Sequence, residues 1–152
     1  MGTDSRASDR GYEAGDCVSY RLRRAARIAA KHYDTALKPS GLRNTQFSLL
    51  SALDHLDEIS IGDLSHELAT DGTTLNRNLD ILIRRGLIKN GVAEDGRVRT
   101  VTLTAAGRRK FKQAKPLWRS AQRTILKAIG SGDWNVMRSR LSEIEAACGG
   151  PE

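Results

Sequence analysis

The segment from Thr73 to Asn78 is rich in side chains that hydrogen-bond the edges of DNA bases. Its polar members are Thr73, Thr74, Asn76, Arg77 and Asn78. Asn can bond adenine through two hydrogen bonds, Arg can bond guanine or a phosphate, and Thr can meet a thymine methyl group or a phosphate. Leu75 and Leu79 alternate with these residues at a spacing that turns them to the opposite side of a helix. The segment therefore predicts a recognition helix for double-stranded DNA.

A second group of candidate DNA contacts follows an Asp-Gly turn signal. Arg97 lies at this turn, where a long cation can reach a minor groove, and Arg99 lies two residues later. Asp95 would repel a phosphate, so we expect it to orient Arg97 or to pair with Arg77. The alternative is that Asp95 and Arg97 are ordinary turn residues of a solvated hairpin.

The elements around these residues have the order of a winged helix-turn-helix. A Ser60-x-x-Asp63 capping box predicts a short helix ending near Ala69, and Asp71 can cap a helix from about Thr73 to Arg85. Gly86 is suited to the end of that helix. Strand-like runs at residues 87–89 and 97–103 predict a hairpin, and the whole unit spans about 44–103. The first helix of such a unit supports the second, whose N-terminal end can then enter a major groove.

Helical periodicity also flanks this unit on both sides. Residues 17–37 form one apolar stripe, and a further helix runs from Asn44, a candidate N-cap, to about Leu56. Thr104 can cap a long helix that reaches about residue 129 and that Pro116 should kink. A last helix, 133–148, carries a stripe suited to packing on another helix: Trp134, Met137, Leu141, Ile144 and Cys148. Residues 1–16 are expected to be a mobile tail.

Composition restricts the class of protein. The 152 residues carry a net charge of +7, which makes nucleic acid the first partner to consider, with a solvated basic surface as the alternative. No apolar run approaches the ~18 residues of a membrane span. The two cysteines are too few for a disulfide scaffold. The N-terminal residues have no apolar run of the kind that a secretory signal needs. We therefore expect a cytoplasmic protein without a membrane partner.

Several of these segments, in this order, resemble the MarR family of winged-helix transcription regulators. The resemblance covers about residues 17–148 and includes 41–47, 61–68, 73–77, 85–88, 94–97 and 101–107. Its most specific marks are Asp95-x-Arg97 and the later Leu103-Thr104-x-x-Gly107. One departure is Gly96, where the family often has Arg, so that a candidate DNA contact is missing.

The resemblance implies the fold and the general function. The fold class is mainly α with a small β-hairpin wing, in a single domain, 17–148, whose dimerisation helices lie at about 17–37 and 104–148. The implied protein is a homodimer that binds a near-palindromic operator, in most cases as a repressor. Regulators of this family commonly respond to a small aromatic ligand or to an oxidant at a cysteine.

The sequence offers candidates for both kinds of signal. A ligand pocket between the dimerisation helices and the winged unit could be lined by Tyr20, Arg24, His32, Tyr33, His55 and Trp118. At their helical spacing, Tyr33 and Trp118 are equally suited to the core. Cys17 begins the first helix, where a thiol pKa can be lowered, although a small buried apolar residue is the simpler interpretation. A Cys17–Cys148 bridge between subunits is a further hypothesis.

Two other classes of function compete with a DNA-binding regulator. An enzyme is not expected, because the sequence has no Gly-rich phosphate loop and no suggestive arrangement of nucleophile and base. The three histidines lack the spacing of metal ligands, so no metal or cofactor is expected. A winged-helix module that binds protein instead of DNA is the second alternative, and Asn76, Arg77 and Arg97 argue against it.

Overall fold

The computed structural model describes residues 16–94 and 96–149. Asp95 and residues 1–15 of the expected tail therefore lie outside the described residues. The chain divides into two units, one ending at His32 and the other beginning at Tyr33. The elements in chain order are helix α1 (Val18–Leu37), a 3-10 turn (Lys38–Ser40), α2 (Asn44–Leu56), β1 (Ile59–Ser60), α3 (Ile61–Glu67), α4 (Gly72–Arg84), β2 (Ile88–Val92), β3 (Arg99–Leu103), α5 (Ala105–Ile129) and α6 (Ser131–Ala147).

The second unit is a winged helix-turn-helix with a small antiparallel sheet. The strand order is β1-β3-β2, with β3 in the middle. Ser60 of β1 and Gly91 of β2 both pair with Thr100 of β3. The hairpin was predicted, with somewhat different strand limits. The strand β1 was not predicted, because two residues are too short to show an alternating pattern.

Side-chain caps begin three of the helices at the predicted positions. Ser60 accepts a hydrogen bond from the Asp63 backbone N–H at 3.0 Å, Asp71 from Thr74 at 2.9 Å, and Thr104 from Gly107 at 3.0 Å. These bonds satisfy backbone donors that a helix start leaves without partners.

The predicted N-cap of α2 is wrong. Asn44 is the first residue of the helix and Arg43 is its N-cap. The Gln46 side chain accepts from the Arg43 backbone N–H at 3.1 Å, and Asp34 accepts from that of Asn44 at 2.6 Å. The start of α2 is thus capped by Gln46 from within the helix and by Asp34 from α1.

The core of the second unit is built mainly from leucines of α2, α3 and α4. Their helical spacing turns one face of each helix inward, as predicted, and burial of these side chains drives the packing. The largest fully buried side chains are Leu37, Leu50, Leu53, Leu64, Leu75, Leu79, Leu82, Ile88 and Val101. Phe111 of α5 closes this core against Phe47 of α2, with ring centroids 5.2 Å apart.

A buried glycine lets α5 pack closely against the start of the hairpin. A Cβ atom at Gly107 would lie 2.0 Å from the backbone oxygen of Leu87. No other residue fits at this distance, so Gly107 determines how near the long helix comes to β2. At the end of α4, Gly86 has φ +68°, which glycine adopts without strain.

The described helices show no membrane span. In residues 16–94 and 96–149, no helix combines the length and the apolar character that crossing a bilayer requires.

Candidate nucleic-acid interface

The recognition helix α4 has one buried and one exposed face. Leu75 and Leu79 are each 1% exposed and Leu82 is fully buried, so this face is fixed in the core. The opposite face carries four exposed members of the predicted group, Thr73, Thr74, Asn76 and Arg77. Packing by the leucines therefore presents polar side chains outward along the first turns of α4. This arrangement is suited to reading base edges in a major groove.

Asn78 differs from the other predicted contacts. It is half-buried, and its side-chain amide donates to the backbone oxygen of Thr74 at 3.0 Å. The same side chain lines a cleft of about 300 Å³ that lies between the beginning of α2 and α4. Asn78 thus lies on the flank of α4, and one hydrogen bond of its side-chain amide is already made to the backbone of the same helix.

A carboxylate caps the tip of the recognition helix. The pKa of Asp71 is lowered, first by the hydrogen bond from the Thr74 backbone N–H and then by the Thr74 side chain. A negative charge at a helix N-terminus is also favoured by the helix dipole. Asp71 therefore keeps the first turn of α4 ordered, at the place where the polar face begins.

A tight turn connects α3 to α4. Ser65 donates from its hydroxyl to the Thr70 backbone oxygen at 2.6 Å, and Ala69 adopts φ +44°, which is uncommon for a residue other than glycine. Leu64 on the inner side of α3 is fully buried. The short helix thus holds α4 by burial on one side and by the turn at its end.

The wing carries its predicted cations on the surface. Arg97 and Arg99 are exposed, and Val92 and Val98 are exposed beside them. The turn between the strands is closed by a backbone hydrogen bond from Ala93 N–H to Val98 O at 2.9 Å. Because Asp95 lies outside the described residues, its contact with Arg97 or Arg77 stays a prediction.

Basic side chains dominate the surface between α4 and the start of α5. The exposed cations of this stretch are Arg77, Arg84, Arg85, Lys89, Arg97, Arg99 and Arg109. Arg108 belongs to the same stretch but lies 3.1 Å from Asp57 and 3.7 Å from Asp54, which offset its charge. The surplus of positive charge is suited to a polyanion such as DNA.

Three of the six predicted pocket residues come together around α2 and α5. His55 and Trp118 line one cleft of about 390 Å³, and Tyr33 stacks on Trp118 with ring centroids 6.4 Å apart. The Tyr33 hydroxyl donates to Gln122 Oε1, and burial raises the pKa of Tyr33.

The other lining residues of this cleft were not predicted. They are Phe47, Ser48, Ser51 and Ala52. Helical spacing puts positions 48, 51, 52 and 55 on one face of α2, and this spacing could have identified them. The apolar pattern of the helix indicates only its buried face, and so the prediction missed them. Phe47 continues the aromatic group, because its ring stacks on Trp118 at 5.7 Å.

The remaining candidates lie elsewhere in the chain. Tyr20 and His32 are half-buried and Arg24 is exposed, all within the N-terminal unit. Cys17 is half-buried just before α1, and Cys148 is exposed at the end of α6. Among the described residues, no group of three or more His, Cys, Asp or Glu side chains could hold a metal ion.

Comparison with known proteins identifies one family. A model of the MarR family matches residues 40–98. The M. tuberculosis transcriptional regulator MosR, solved in complex with DNA, is 36% identical to this chain; the alignment covers 88% of this chain and 97% of MosR with a TM-score of 0.80.

Two further comparisons concern the fold and the general class of similar proteins. A mutant of E. coli MarR with one cysteine replaced by serine, solved with operator DNA, is 19% identical and shares the fold with a TM-score of 0.76, over 83% of this chain and 91% of MarR. The Bacillus subtilis protein YdgJ is described as an uncharacterized HTH-type transcriptional regulator. It is 24% identical to this chain, and the alignment covers 85% of this chain and 82% of YdgJ.

Proposed function

Because the chain belongs to the MarR family of transcription regulators, we propose that it binds a near-palindromic operator as a homodimer and represses transcription. The observation that carries this proposal is the exposed polar face of α4, held by Leu75 and Leu79, beside a wing that exposes Arg97 and Arg99. The structure of MosR with DNA supports the same partner. A two-fold dimer would place its two recognition helices about 34 Å apart, one turn of the duplex.

In this proposal the two parts of the surface have different tasks. Asn76 and Arg77 contact base edges from the major groove and so provide specificity. Arg97 contacts the backbone or the narrow minor groove alongside, and so provides affinity for many sequences. Thr73, Thr74, Asn78 and Arg99 complete the surface as phosphate or methyl contacts. The protein acts by binding rather than by catalysis, and it acts in the cytoplasm, where its DNA is.

The test begins with binding sites selected from random DNA. Asn76→Ala and Arg77→Ala should each lose about 1–3 kcal/mol of binding free energy, and the loss should depend on the identity of particular base pairs. Arg97→Ala should weaken binding to all selected sites and reduce the slope of log K against log salt by about 1. Arg138→Ala, which removes an exposed arginine of α6, is the matched control and should bind as the parent does. If all four variants bind the operator as tightly as the parent does, the proposed DNA-binding surface is wrong.

The aromatic cleft supports a second part of the proposal, release from DNA by a small aromatic ligand. Phe47 and Trp118 contribute aromatic atoms to the wall of the cleft, and Ser48, Ser51 and His55 offer hydrogen bonds, which together suit a small phenolic compound. The competing hypothesis is an oxidant that acts at Cys17.

Release from the operator separates the two signals. A phenolic inducer should lose its effect in Ser51→Leu, which fills the cleft, and keep it in Cys17→Ser. Peroxide should show the reverse pattern if the thiol is the sensor. If Ser51→Leu responds to every active phenolic compound as the parent does, the cleft is not the ligand site.

A further inference from the structure

A glutamate outside the helix-turn-helix surface makes a short contact with the wing. Glu58 lies between α2 and β1, and its Oε1 accepts a hydrogen bond from the Thr100 hydroxyl at 2.5 Å. Thr100 belongs to the central strand β3 and is 6% exposed. A hydrogen bond to a carboxylate is stronger than one between neutral groups, and burial of the donor makes its loss costly.

A glycine in the neighbouring strand leaves room for this contact. Gly91 of β2 pairs with Thr100. A Cβ atom at Gly91 would lie 2.6 Å from the Thr100 hydroxyl oxygen and 3.0 Å from Glu58 Oε1. A side chain there would therefore push directly on the Glu58–Thr100 hydrogen bond.

The backbone next to Glu58 is held by a second contact, which comes from α5. Asp57 adopts φ +60° with ψ −109°, a conformation that is rare for a residue other than glycine. Arg108 of α5 donates to the Asp57 carboxylate at 3.1 Å. The surroundings must hold such a conformation in place. The dipeptide Asp57–Glu58 thus joins the end of α2 to α5 through one side chain and to the wing through the other.

We propose that Glu58 is a positioning residue for DNA binding: its contact with Thr100 sets the direction in which the wing presents Arg97. The inference rests on the proposed function, in which the wing contacts DNA. Thr100 belongs to the second ladder pair from the turn and lies three residues after Arg97, so this hydrogen bond holds β3 close to the segment that carries Arg97. None of the described residues of the turn between β2 and β3 is buried, and so the direction of the wing depends on contacts of this kind.

Whether Glu58→Ala weakens or tightens DNA binding distinguishes a positioning role of Glu58 from a purely electrostatic one. By charge alone, removing a carboxylate near the wing should tighten DNA binding, because the carboxylate repels phosphates. If Glu58 positions the wing, the same change should weaken DNA binding, because the wing loses the hydrogen bond that orients it. We expect Glu58→Ala to weaken operator binding about fivefold, a typical consequence of one lost hydrogen bond.

Matched variants separate the hydrogen bond from other effects. Glu58→Gln keeps an acceptor oxygen and should bind within about twofold of the parent. Thr100→Ser keeps the donor and should also bind normally, whereas Thr100→Val and Gly91→Ala should weaken binding as Glu58→Ala does. Glu94→Ala removes an exposed carboxylate of the wing turn and should bind equally well or more tightly. The Thr100 pair decides the matter if Glu58→Ala does not fold.

A double-mutant cycle with Arg97→Ala tests whether Glu58 acts through the wing. In the Arg97→Ala background, Glu58→Ala should change the operator Kd by less than about twofold. The inference is overturned if Glu58→Ala binds as tightly as the parent, or if its effect persists in full without Arg97. Failure of the proposed function is a different result, in which the parent protein itself selects no DNA sequence.

Discussion

The recognition helix α4 and the C-terminal helix α6 expose surfaces of opposite character. In α4 the apolar residues Leu75, Leu79 and Leu82 are buried and polar residues face outward. No residue of α6 is buried, Met137 is 42% exposed and Val136 is 59% exposed. The orientation of α4 is therefore determined by its own chain, whereas much of the apolar surface of α6 is not covered by the described residues.

This difference indicates two kinds of partner. A polar face held rigidly by a buried one is suited to hydrogen-bonding a partner of fixed geometry such as a duplex. An apolar stripe in which Met137 is exposed and the other large members are only half-buried is suited to a second copy of the same surface, as in a two-fold dimer. The partial burial of Trp134, Leu141 and Ile144 fits the predicted role of α6 in packing on other helices.

The largest expected effect lies in the buried face of α4. Leu79→Ala should lower the free energy of unfolding by about 3 kcal/mol, because it opens a cavity beneath the recognition helix. Val136→Ala on α6 should change the free energy of unfolding by less than about 0.5 kcal/mol, since that side chain is mostly exposed. Urea denaturation measures both. Equal losses in the two variants would contradict the contrast between the helices.

The next effect tests the apolar stripe of α6. Ile144→Glu should raise the dimer dissociation constant by about thirtyfold, because a charge would have to be buried where the two copies meet. Ser142→Glu adds the same charge at an exposed position of the same helix and serves as the control. Light scattering over a dilution series measures the mass. A parent protein that is monomeric at low micromolar concentration would refute the dimer.

The smallest effect concerns the capped end of α4. The pKa of Asp71 is lowered in the fold, so its stabilising contribution is present above the ordinary value of 3.8 and is lost as the pH falls through the lowered pKa. Hydrogen exchange of the first α4 amides should therefore speed up in acid beyond its intrinsic pH dependence. Asp71→Asn should remove this extra response, because its amide can cap but does not titrate. An identical response in the variant would exclude Asp71 as the cause.

The elements of the fold were largely predictable because their signals are local. Ser60, Asp71 and Thr104 cap the helices that their spacing predicted. The same reasoning failed at the start of α2, where the cap oxygens come from Gln46 inside the helix and from Asp34 ten residues earlier. Gln46 lies three residues after the N-cap, which is a local signal that the expectation for Asn44 overlooked, whereas the contact of Asp34 depends on the turn that joins α1 to α2.

The candidate site was predictable to the same extent. Leucine spacing in α4 was enough to infer which side chains face outward, and Asn76 and Arg77 are exposed as predicted. The aromatic cleft was predicted only in part, because Phe47 and Trp118 lie far apart in the chain and their ring contact depends on how α2 meets α5. The exposed positions of α2 that line this cleft carry no periodic apolar signal of their own.

By itself, the sequence determined the helices, the hairpin and the polar face of α4, because capping, turn formation and burial periodicity act over a few residues. Tertiary structure alone decided that Glu58 would meet Thr100, that Arg108 would meet Asp57, and that Gly107 would bring α5 against Leu87. These contacts join residues that are distant in the chain. They exist only once the buried leucines have packed the helices together, since the distance between two surface groups is set by the core beneath them.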